Sequence, residues 1–121
     1  METANLGKVY KNGEVIVHQG DVEDCMYVIQ QGKVEVVQDA AGREVHLAVL
    51  NEGDFFGEMA LFERESRAAT VRALGEAQVL TVDKKVFLKR VHEDPAIAYR
   101  ILQKMSHRIR VANAQLARMK A

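Results

Sequence analysis

Residues 55–73, from Phe55 to Ala73, read FFGEMALFERESRAATVRA. This short and otherwise apolar stretch carries a glycine, a carboxylate and an arginine, with Glu58 and Arg67 nine residues apart. Arg67 leads directly into Ala68-Ala69-Thr70-Val71, the pattern of a strand entering a core. A charge at the mouth of such a strand is costly to bury without a partner. An anion is therefore expected against Arg67. Either Glu58 supplies it across the rim of a sheet, or a ligand does.

On the N-terminal side the chain reads as short strands separated by turns. Val15 and Val17 alternate with Glu14, Ile16 and His18, and Gly20-Asp21 breaks the run. Met26–Gln30 and Lys33–Val37 flank Gln31-Gly32, which predicts a hairpin. Asp39 to Gly42 predicts another turn, followed by a half-buried strand with Val45, Leu47 and Val49 on one face and Gly53-Asp54 at its end. After Arg67, Ala69, Val71 and Ala73 alternate with Thr70 and Arg72, and a further strand is expected over Gln78–Val82 beyond Gly75. Strands at this spacing predict a small antiparallel barrel or jelly roll over about residues 8–82.

The period then changes. Asp83 precedes KKVFLKRV, and Asp94-Pro95 combines an N-cap residue with proline at the first helical position. Ala98, Ile101, Met105, Ile109, Ala112, Leu116 and Met119 recur at steps of three or four, an apolar stripe along one long helix. The fold class expected is mainly β with terminal α-helices, in a single domain over 1–121, with the helices over about 84–118.

Composition removes several function classes. Seventeen basic and seventeen acidic side chains cancel, which argues against a nucleic-acid partner. No apolar run approaches the ~20 residues that cross a bilayer, and METANLGKVYKNGE lacks the apolar centre of a signal peptide. No membrane contact and a cytoplasmic location are expected. Cys25 is the sole cysteine, expected as a small buried residue rather than a reactive thiol. His18, His46, His92 and His107 are scattered, without the clustered ligands of a metal-dependent cupin. Neither a catalytic constellation nor a metal or other cofactor is expected.

Residues 55–73 suit one kind of ligand, a cyclic phosphate ester on a ribose. Arginine is permanently charged, and its planar fork pairs with phosphate oxygens bidentately. Gly57 lets the backbone approach closely, and a short helix from Glu58 through MALF would present N–H groups to the same phosphate. Glu58 can accept the hydrogen bond of a ribose 2′-OH, as acidic residues do in dinucleotide sites.

The stretch resembles the phosphate-binding cassette of the cyclic-nucleotide-binding domain family, which includes protein kinase A regulatory subunits, cyclic-nucleotide-gated channels and the catabolite activator protein. The resemblance rests on Phe56-Gly57-Glu58, Ala60-Leu61 and Arg67-Ala68-Ala69-Thr70-Val71, and extends to Gly20-Asp21, Gly32 and Gly53-Asp54. It implies that Glu58 holds the ribose 2′-OH and Arg67 the cyclic phosphate. Gly57, Ala60 and Ala68 would contribute backbone contacts, and Leu47 would pack near the base. Ser66 stands where relatives often have proline, and the Glu63-Arg64-Glu65 loop is more charged than in many of them. In relatives that prefer cyclic GMP, a Thr or Ser at position 68 reaches the guanine. Ala68 lacks that hydroxyl, so cyclic AMP is the favoured ligand and cyclic GMP the other candidate.

The resemblance also implies a lid role for the last helix. Arg108, thirteen residues after Pro95, matches the spacing of an arginine that stacks on the base in some bacterial channel relatives. A solvated arginine is the other reading, and Tyr99 and Asn113 are weaker candidates. The apolar stripe would pack on its own barrel or pair with a second copy. The function expected is a cyclic-nucleotide sensor that relays occupancy through its C-terminal helix to a protein effector or a second copy. The alternatives are a ligand-free assembly module of the same fold, or the sensor piece of a larger transcription factor or channel. No DNA-reading helix-turn-helix is expected within these residues.

Overall fold

The computed structural model describes residues 6–63 and 66–120. The chain divides into two units, Met1–Lys84 and Lys85–Ala121. The first holds all the strands: β1 (Lys8–Tyr10), β2 (Val15–Val17), β3 (Cys25–Ala40), β4 (Arg43–Leu50), β5 (Phe55–Phe56) and β6 (Thr70–Asp83). A four-residue 3-10 helix, Glu58–Leu61, lies between β5 and β6. Helices α1 (Lys84–Glu93) and α2 (Ala96–Lys120) follow.

The six strands form one antiparallel sheet of order β1-β6-β3-β4, with β2 added on β6 and β5 on β3. The mainly β architecture with terminal helices is as expected. The barrel of the sequence-based expectation is not closed, because among the described residues the path ends at β1 and β4.

One expected hairpin and one expected strand break are instead interruptions inside long strands. Gln31-Gly32 is no hairpin: β3 continues through it, paired with β6 on both sides, with register shifts at Ile29/Gln31 and Gln31/Lys33. Gly75 likewise lies within β6 rather than between two strands. Both glycines have positive φ, 83° and 77°, the signature of bulged backbone. The ladder skips here, from Gln31↔Gln78 to Lys33↔Leu74, so the extra residues bow out of β6. The predicted turn at Asp39–Gly42 is present as a two-residue hairpin loop, with Ala40 paired to Arg43 and positive φ at both Ala41 and Gly42.

The core is built by Tyr10, Ile16, Val17, Tyr27, Ile29, Val34, Phe56, Val71, Ala73, Ala77 and Val79. β4 contributes through the opposite face from the one expected. Val45, Leu47 and Val49 are 42%, 49% and 38% exposed, whereas Leu50, paired with Val34, packs against the core. A period-2 pattern identifies two faces but not which one is covered, and among the described residues β4 has a sheet neighbour on one side only.

In the second unit the Asp94-Pro95 signal acts as expected. Asp94 accepts from the Ala96 N–H through Oδ1 at 3.1 Å and from the Ile97 N–H through its carbonyl at 3.0 Å, opening α2. No residue of α1 or α2 is buried. Half-buried positions on α2 recur at 97, 98, 101, 104, 105 and 108, and from Ile109 onward every described residue is exposed.

Candidate functional site

β5 delivers the chain to the site. Phe56 pairs with Tyr27 on β3, and the two rings stack with centroids 5.1 Å apart. Gly57 then turns the backbone through φ 78°, ψ 13°, a left-handed conformation that costs a side-chain-bearing residue about 1–2 kcal/mol. The 3-10 helix follows, anchored by buried Leu61. This is the short helix expected from GEMALF, limited to a single turn.

Arg67 is seated by its own backbone before its side chain is used. Its N–H donates to the Asp21 carbonyl at 2.7 Å, and its carbonyl accepts from the Gly20 N–H at 2.8 Å. The Gly20-Asp21 turn thus fixes where Arg67 enters the sheet. The side chain is 7% exposed. Its Nε and Nη2 donate to one oxygen, Oε1 of Glu23, at 3.3 and 3.1 Å. Nη1 donates to the Gly57 carbonyl at 3.0 Å, and Nη2 also to the Cys25 carbonyl. The guanidinium carbon lies 5.7 Å from the centre of the Tyr27 ring. A Cβ on Gly57 would stand 2.5 Å from Nη1, so this glycine is required by its neighbour as well as by its φ.

The carboxylate that meets Arg67 is Glu23, 44 residues away in sequence. Nothing in the sequence separates Glu23 from its neighbours Asp21 and Asp24 in the same acidic turn. Glu23 Oε1 accepts a third bond from the Tyr27 hydroxyl at 3.0 Å. Burial of this phenol, together with the neighbouring Cys25 and Glu23, pushes its pKa far above the ordinary tyrosine range. Cys25, expected to be buried, is half-buried and packs against the core, with Sγ 3.9 Å from Arg67 Nη2.

Beside this cluster lies a cavity of about 310 Å³, at the lower end of the range for small-molecule pockets. Val17, Val36, Phe56 and Val71 form apolar wall, and the polar part comes from Glu58, Glu63, Ser66 and Arg67. Five of the seven expected site residues line it: Gly57, Glu58, Ala60, Arg67 and Ala68. Leu47 lies outside the lining, exposed on β4. Arg108 belongs to α2 in the second unit, half-buried there. Of the charged loop Glu63-Arg64-Glu65, Arg64 and Glu65 fall outside the described residues.

A largely apolar cavity whose lining includes one buried guanidinium and the residues Glu58 and Glu63 suits a small ligand with an anionic group and hydroxyls. Residues 7–94 match the cyclic nucleotide-binding domain family, and the chain belongs to that family. It is 33% identical over 112 residues to the cAMP-activated global transcriptional regulator CRP of Salmonella typhimurium, covering 91% of this chain and 53% of CRP. It is similar in structure to the catabolite activator protein of Thermus thermophilus, with a TM-score of 0.83 at 28% identity over 93% of this chain and 54% of that one. A second similar structure is the cGMP-bound form of the EAL enzyme Bd1971, with a TM-score of 0.66 at 32% identity over 86% of this chain and 28% of that one. The chain thus spans about half the length of CRP.

Proposed function

We propose that this chain is a cyclic-nucleotide sensor module, with cyclic AMP as its preferred ligand. The observation that carries this is the buried Arg67 guanidinium in the wall of a mostly apolar cavity that Glu58 also lines. In this proposal Arg67 holds the cyclic phosphate and Glu58 the ribose 2′-OH. Gly57, Ala60 and Ala68 offer backbone groups, while Leu47 and Arg108 face the base. Ala68 has no hydroxyl for a guanine amino group, which favours adenine; the cGMP-bound relative keeps cyclic GMP as the competing ligand. The module has no reaction to perform: its product is a change in the state of α2, read by an effector or a second copy. Ligand contacts that differ between two positions of α2 would shift its population. No nucleic-acid contact is assigned to these residues. No described helix is long and apolar enough to cross a membrane, and a cytoplasmic location is part of the proposal.

Calorimetric titration with cyclic AMP and cyclic GMP tests this directly. Wild type should bind cyclic AMP more tightly. Arg67→Ala should lose at least about 100-fold, the cost of removing a buried charge partner. Arg67→Lys keeps the charge but loses the fork, and should also bind weakly. No binding by wild type at millimolar ligand would remove the sensor reading and leave an assembly module. Hydrogen exchange over residues 95–116 tests the relay: equal protection with and without ligand would exclude it.

A further inference from the structure

The Arg67 fork is occupied by groups of the protein itself. The Nε–Nη2 edge, the one suited to two phosphate oxygens, faces a single carboxylate oxygen of Glu23 at 3.3 and 3.1 Å. On the other side, Nη1 is held by the Gly57 carbonyl. That Glu23 oxygen collects a third donor, the Tyr27 hydroxyl, at 3.0 Å. Three donors converging on one oxygen is an anion site, and the protein fills it with its own side chain. Glu23 itself is not part of the cavity wall, whereas Arg67 is.

We infer that Glu23 is a built-in competitor of the ligand's anionic group, so that it sets the affinity threshold of the sensor. The inference rests on the proposed reading of Arg67 as the phosphate residue. An incoming phosphate exchanges one Arg67 ion pair for another instead of neutralising a bare cation. The displaced Glu23 carboxylate must be rehydrated, and it stays close to a second negative charge. Both effects oppose binding. The Glu23 side chain is 33% exposed, so water is at hand to receive it. Arg67 does not need Glu23 for its orientation, because the Gly57 and Cys25 carbonyls and the Gly20-Asp21 backbone bonds still hold it. Removing the Glu23 charge therefore tightens binding rather than loosening it.

The test is the affinity of wild type, Glu23→Gln and Glu23→Ala for cyclic AMP, measured by calorimetry on the full chain. Glu23→Gln keeps an oxygen that can accept from Tyr27 and Arg67 while losing the charge. Both variants should bind on the order of tenfold more tightly. A second measurement avoids the variants altogether. In wild type labelled with 13C-glutamate, the Glu23 carboxyl resonance should shift as cyclic AMP saturates the protein. Binding by wild type with equal or weaker binding by Glu23→Gln, or an unmoved Glu23 resonance at saturation, overturns the competitor and leaves the sensor standing. No binding by wild type or either variant at millimolar ligand removes the sensor reading and this inference with it.

Discussion

Gly57 shows how one residue serves backbone and site together. Its φ of 78° and the 2.5 Å separation between a hypothetical Cβ and Arg67 Nη1 are independent penalties. Gly57→Ala should cost about 1–2 kcal/mol in urea unfolding from the left-handed backbone alone. It should also displace the guanidinium and weaken cyclic AMP binding. A variant with unchanged midpoint and affinity would mean that the turn relaxes freely. The opposite sign is expected at Ala41, the one positive-φ non-glycine among the described residues, at 56°. It occupies the first loop position of the β3–β4 hairpin, where Asn and Gly are favoured. Ala41→Asn should stabilise by roughly 0.5–1 kcal/mol. The same scale separates what the sequence discloses from what it hides. Gly57, Glu58, Ala60, Arg67 and Ala68 are legible because they lie within twelve consecutive residues whose chemistry is unusual together. Glu23 is not, because its role exists only after β3 and the loop before β6 have been brought side by side.

At the scale of elements, glycine marks where a strand is interrupted without saying whether the chain reverses. Gly32 and Gly75 were expected to end strands, and both are passed through. The hydrophobic alternation resumes on the far side of each, which is compatible with a hairpin or a bulge. Only pairing with a third segment decides, and β6 runs along β3 through both positions. The two glycines differ in what surrounds them. A Cβ on Gly32 would lie 2.3 Å from the Glu76 carbonyl oxygen, whereas one on Gly75 would meet nothing within 4 Å. Gly75→Ala should therefore cost about 1 kcal/mol for its φ, and Gly32→Ala more than about 2 kcal/mol because backbone must also move. The reverse order in chemical denaturation would contradict the bulge geometry. Across the outer face of β3, β4 and β6, Arg72 joins Glu35 and Glu44 at 2.9 and 2.7 Å, and His46 meets Glu35 at 2.8 Å. The His46 hydrogen bond, and after it Arg72, holds the Glu35 carboxyl below the ordinary glutamate value of 4.5. A lowered carboxylate stabilises the fold above that ordinary value, and the contribution is lost as pH falls through the lower folded one. The stability difference between wild type and Glu35→Gln should persist at pH 6 and shrink steadily below pH 4.5. A difference independent of pH would assign the network no electrostatic role.

At the scale of the molecule, stability and response are carried by different stretches of chain. Among the described residues every buried hydrophobic lies between Tyr10 and Val82, and neither helix contributes one. The apolar stripe read from the sequence of α2 divides along its length: Ala98, Ile101 and Met105 are half-buried, whereas Ile109, Leu116 and Met119 are 59%, 52% and 80% exposed. Helical periodicity reports an apolar face but not its partner, which is why the sequence left packing on the sheet and pairing with a second copy equally open. The consequence is a prediction about truncation. A chain ending at Lys84 retains the whole sheet, the complete core and all the residues that line the cavity. It should fold alone, with dispersed amide resonances and a melting temperature within a few degrees of the full chain, because neither helix holds a buried residue. It should still bind cyclic AMP through Arg67 and Glu58, more weakly than the full chain by whatever α2 and Arg108 supply. Collapse of amide dispersion in the truncated chain would show that the helices are part of the folding unit. Equal affinity in the two chains would remove α2 and Arg108 from the ligand's contacts, leaving the sheet unit as the complete binding module.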